Sequence, residues 1–121
     1  MDRPNRHIIV ERNGDAHCVR MSNSRMSEKD ILEMADELLG LVNQGNCRKL
    51  VLLLGPGKIE YMYSVFLAKL VMLRRHLDNV QGKFKIAEAS PETLGVFRTC
   101  GLDKYFDFEP DLATAIANFA R

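Results

Sequence analysis

A chain of 121 residues with 46% apolar and 27% charged residues has enough apolar material for one domain with its own core, and no need of staples. Its 17 basic and 16 acidic residues leave a formal charge of +1, which excludes the broad basic surface needed to hold nucleic acid or an anionic membrane. The basic pairs Arg3 with Arg6 and Arg74 with Arg75 are too short for a binding stripe.

The first six residues contain no apolar h-region and read as a short N-terminal tail. His7 to Arg12 and Ala16 to Met21 read as two strands around Asn13-Gly14-Asp15, since Asn-Gly favours a type I′ hairpin turn. Alternation in the second strand places Ala16, Cys18 and Arg20 on one face and His17, Val19 and Met21 on the other. His7 and His17 are candidates for cross-strand neighbours. Without a converging thiol or carboxylate they are expected to be surface histidines, and no metal site is assigned.

Ser27, with Asp30 three residues on, has the form of a capped helix start. Ile31, Ala35, Leu38, Leu39 and Val42 follow at helical spacing, and Gly45-Asn46 ends the helix. Leu50 to Leu54 is wholly apolar and predicts a strand buried on both faces. After the turn Gly55 to Lys58, a helix is expected from about Ser64 to His76 or Asp78. Lys83 to Ala87 predicts a strand by alternation. Ser90-Pro91-Glu92 opens a helix that stops at Gly101, and Tyr105 to Phe108 reads as a strand. A last helix starts after Glu109-Pro110-Asp111 and carries Leu112, Ala115, Ile116 and Phe119 on one face. The order ββαβαβαβα argues for an α/β domain with mainly parallel pairing in its second half. Residues 1–121 are expected to form one domain, without linkers or repeats.

Several chemistries lack their residues. Gly55 to Lys58 is not a phosphate loop, because Leu52 stands where its first glycine should be and Ile59 where its hydroxyl should be. Met62 and Phe66 flank Ser64 where a hydrolase elbow needs glycines. No pair of carboxylates is marked out as acid and base. Cys18, Cys47 and Cys100 are odd in number and form no C-x-x-C, so buried or half-buried free thiols in a reducing cytosol are expected. No apolar stretch approaches the roughly 20 residues that span a bilayer. The expectation is a non-enzymatic, soluble, cytoplasmic protein with no cofactor.

The residue singled out is Ser64, at the junction between a buried strand and a helix. It reads as a helix cap, or as a phosphorylation site whose added charge would be tolerated at the helix dipole and would repel a partner docked there. On the helix behind it, Leu67, Phe66, Leu70, Val71, Leu73 and Leu77 fall on a core-facing arc. Val65, Lys69, Met72 and His76 fall opposite, where Val65 and Met72 around Lys69 suggest a small docking patch.

These stretches resemble a known family. Leu50 to Leu54, Ile59 to Leu70 (I-E-Y-M-Y-S-V-F-L-A-K-L), Gly82 to Ile86, Ser90-Pro91 and Gly101 to Phe106 look like a STAS domain, of the sulfate-transporter and anti-sigma-factor-antagonist type, from about His7 to Phe119. The family motif F-[IM]-D-S-[ST]-G-L-G aligns its first serine with Ser64 and its leucine with Leu67. Tyr63 replaces the aspartate, Val65 the second Ser/Thr, Phe66 the first glycine and Ala68 the second.

The resemblance implies a small mixed sheet of about five strands with four helices packed largely on one face. It also implies an anti-sigma-factor antagonist whose partner, a serine kinase acting as anti-sigma factor, binds near the start of this helix and phosphorylates Ser64. Tyr63, Val65, Ala68, Lys69 and Met72 are the partner-binding candidates. Two alternatives stand beside this reading. One is a STAS interaction module without a phosphoswitch. The other is a STAS domain that binds an anion or nucleotide at the helix N-terminus.

Overall fold

The computed structural model describes residues 5–55 and 64–119. Five strands form one sheet in sequence order: β1 (Ile8–Asn13), β2 (Ala16–Met21), β3 (Lys49–Leu53), β4 (Lys83–Ala87) and β5 (Asp107–Glu109). β1 and β2 pair antiparallel and every later pair is parallel. The helices are α1 (Glu28–Asn43), α2 (Ser64–Asn79), α3 (Pro91–Thr99) and α4 (Leu112–Phe119). The mixed sheet and the order ββαβαβαβα are those expected.

The sequential strand order determines where the helices go. Each crossover from β2 to β5 steps the sheet in the same direction, and right-handed crossovers stepping one way deposit their helices on one face. The apolar residues of α1, α2 and α3 accordingly share one core with Val19, Leu50, Leu52, Phe84 and Ile86. α4 follows the last strand and is bound by no crossover. It packs on the opposite face, with Ala115 and Phe119 against Ala16, Cys18, Val51, Leu53 and Ala87.

Local chemistry sets the boundaries. Ser27 and Asp30 form a reciprocal capping box at α1. Ser90 caps α3, with Pro91 in its first turn. The Thr114 amide donates to Asp111 Oδ1 at the start of α4. Gly101, at φ 73°, takes the left-handed conformation just past α3.

Some expectations are corrected. The hairpin loop is Gly14–Asp15, because Asn13 pairs with Ala16. Only the first of its two central residues has positive φ (Gly14, 61°), which suits a II′-like turn and not I′. His17 pairs with Arg12, and β1 begins only after His7, so the two histidines are not cross-strand neighbours. Both are buried rather than on the surface. Cys100 is exposed, unlike Cys18 and Cys47. β5 begins two residues later than expected: the Tyr105 amide donates to the Leu102 carbonyl in a turn, while Phe106 packs edge-on against Phe84 and Phe97. Aromatic residues that read as strand are here core fillers before the strand.

Candidate functional site

The parallel strands end together, and α1, α2 and α3 start from that edge, where open α/β sheets present their loops. Three strand ends are tied across it by Arg20, near the end of β2. Its guanidinium makes a bidentate pair with Glu88, just past β4, at 2.9 and 3.1 Å, and also donates to the Gly55 carbonyl just past β3. Glu88 has φ 61°, a conformation costing a non-glycine residue about 1 kcal/mol or more, which the bidentate pair offsets. Gly55 is required by contact: an added Cβ would lie 3.0 Å from both the Cβ and the carbonyl oxygen of Glu88. The carbonyl that begins the connection to α2 is therefore held by Arg20.

Ser64 is the first described residue of α2, lies within the helix rather than capping it, and is exposed. The first turn of α2 contains no acidic residue, so no carboxylate within it offsets the positive end of the helix dipole. Phe66 and Leu67 turn inward and are buried, with Leu70, Leu73 and Leu77 behind them. The phenylalanine that replaces the motif glycine thus adds to the core and does not obstruct the outer surface.

The partner-binding candidates are distributed unevenly. Ala68 is exposed, and Lys69 and Met72 are half-buried. Val65 is also half-buried and packs against the main core, so it does not stand free on the outer face as the helical wheel placed it. Sequence spacing treated the helix as lying on a flat surface, whereas α1 packs along its flank. The exposed stripe runs through Ser64, Ala68 and Arg75. Tyr63 lies outside the described residues, as does most of the turn from Gly55 to Lys58.

Sequence reasoning passed over Arg20 and Glu88. Arg20 was assigned a face and nothing more, and Glu88 follows a strand without any motif around it. The signal was weak: a charged residue at each of two strand ends, of opposite sign, with the glycine that lets them meet.

Solved structures match this architecture closely. An anti-sigma-factor antagonist (STAS) domain protein from Planctomyces limnophilus superposes with a TM-score of 0.81 at 20% identity, over 94% of this chain and 98% of that one. The chain has a STAS fold. An anti-sigma factor antagonist from Mycobacterium paratuberculosis matches with a TM-score of 0.77 at 23% identity, over 100% of both chains. The phosphorylated form of the Bacillus cell fate determinant SpoIIAA shares the STAS fold with a TM-score of 0.68 at 15% identity, over 94% of this chain and 99% of that one. No family model and no curated protein matches the sequence. Among the described residues, no helix is long and apolar enough to cross a membrane.

Proposed function

We propose that this chain is a regulatory, non-catalytic STAS protein of the anti-sigma-factor-antagonist kind, which docks a partner serine kinase over the edge where α2 begins and is switched by phosphorylation of Ser64. One observation carries the reading: Ser64 is exposed as the first described residue of a helix whose first described turn holds no acid. A phosphate there meets a favourable dipole within the chain and places close to two negative charges on the docking surface. A bound partner loses affinity through charge repulsion and poor desolvation, while the fold beneath is undisturbed. Ala68, Lys69 and Met72, on the turns after Ser64, supply the neighbouring contacts. At the same edge the Arg20 guanidinium joins the Glu88 carboxylate and the Gly55 carbonyl, tying the ends of three strands together.

The test is incubation of the chain with ATP and each serine kinase of its source cell, followed by mapping of the phosphate. Modification of Ser64, together with loss of kinase binding by Ser64→Asp, is the expected result. The switch is wrong if no kinase modifies Ser64 and Ser64→Asp binds like wild type.

A further inference from the structure

We propose that His7, Asp30 and Glu33 form a divalent-cation site, suited to an ion of the zinc or manganese kind, at the end of the domain from which α1 starts. One ligand atom from each lies within 4.8 Å of the other two. Three donors on one tetrahedral ion stand about 3.3 Å apart, so small side-chain rotations close the set. One pair is already nearer, with His7 Nε2 2.9 Å from Glu33 Oε1.

The donors come from two separate parts of the chain and each has a fixed backbone. Asp30 and Glu33 stand three apart in α1 and so share a face. His7 precedes β1, and its backbone is held on both sides: its amide donates to Glu37 Oε1 at 3.0 Å, and its carbonyl accepts from the Ser22 amide at 2.9 Å. Its residue surface is only 7% exposed, and its Nε2 is directed at Glu33.

The chemistry of the donors fits. Hydrogen bonds from Ser27 hold the Asp30 carboxyl below its ordinary range, and the bond with His7 does the same for Glu33, so both are charged at neutral pH. An imidazole nitrogen with two carboxylate oxygens favours zinc or manganese over magnesium and calcium, which prefer oxygen alone. Arg6 and Lys29 also act on Glu33 and compete with an ion, which limits affinity without removing a donor. An ion here ties the start of β1 to the first turns of α1. The site is independent of the regulatory reading of Ser64.

The experiment is a calorimetric titration of the full chain with Zn²⁺. The companion measurement is an NMR titration with Mn²⁺, whose paramagnetism broadens the nearest signals. Binding of one ion per chain is expected, with the amide signals of His7, Asp30 and Glu33 among the first to vanish. Glu33→Gln, which keeps a hydrogen-bonding group for His7, is expected to weaken binding about tenfold or more, as is His7→Gln. Asp111→Ala breaks the α4 cap on the other face of the sheet without touching a ligand and is expected to leave the affinity within about twofold. Cys100→Ser is expected to change nothing, since the exposed thiol is the competing zinc ligand. The proposal is overturned by the absence of saturable binding, by Glu33→Gln binding like wild type, or by loss of binding in Cys100→Ser.

Discussion

The two faces of the sheet are built differently. The face under α1, α2 and α3 is packed with large side chains, among them Phe66, Phe97, Ile31, Met34 and Leu70, all essentially inaccessible to water. The face under α4 is lined by Ala16, Cys18, Val51 and Ala87, and it encloses charge. There Lys85 Nζ meets Glu109 Oε2 at 2.9 Å, with both side chains 11% exposed, and Asn118 donates to the same carboxylate. Lys85 also lies over the Phe119 ring, 5.6 Å from its centroid. One face is held by volume. The other is held by one short helix and a nearly buried ion pair, and that difference in how each is held sets how each should fail.

The largest loss is expected from Phe66→Ala on the three-helix face, about 3–5 kcal/mol of unfolding free energy in urea, since a close-packed core does not collapse around so large a void. Lys85→Ala on the opposite face is expected to cost about 3 kcal/mol by removing one member of this nearly buried ion pair. Combining Lys85→Met with Glu109→Gln keeps an acceptor for Asn118 and is expected to return stability to within about 1 kcal/mol of wild type. If the double variant is as unstable as the single one, the ion pair is a net source of stability and the contrast between faces is wrong. Asp111→Ala removes the cap of α4 and is expected to cost about 1 kcal/mol. Circular dichroism should show that loss without damage to the three-helix face.

The smallest effect concerns the polar flaw near the three-helix core. His17 Nδ1 is buried and, among the described residues, without a hydrogen-bond partner. Burial, and then the Arg12 charge, hold the His17 pKa below its ordinary value of 6.5. The unfolded chain therefore takes up this proton more readily than the folded one. The contribution of His17 is fully present above 6.5 and is lost as pH falls from there through the folded pKa. His17→Leu is expected to remove that part of the acid sensitivity, read as the difference between the two stability–pH curves.

Most of the architecture could be read from residues that act locally. Ser27 with Asp30, Ser90 with Pro91 and Asp111 before Leu112 each mark a helix start through a bond spanning three residues, and all three are present. The apolar stripe of Leu112, Ala115, Ile116 and Phe119 also packs as its spacing implies. Contacts between distant residues were harder to see. Lys85 alternates like a surface residue, yet its burial depends on Glu109, 24 positions on in β5, and on Phe119 farther along in α4. The same holds at the candidate site. Ser64 was visible because it begins a helical pattern, whereas the Arg20 bond to Glu88 joins residues 68 positions apart. Val65 was misplaced because a helical wheel gives angle and not what lies alongside.

The sequential strand order also bears on how the chain reaches this form. Each strand pairs with the strand made just before it and with none made earlier. During synthesis, every new strand-and-helix unit meets a sheet edge that is already complete, beginning from the local β1–β2 hairpin, so no pairing has to wait for residues still to come. The exception is the second face. Val51 and Leu53 remain uncovered until α4, the last element, has left the ribosome. A chain stalled before Leu112 should therefore present a paired sheet with one apolar side bare, the form in which this protein is most open to aggregation.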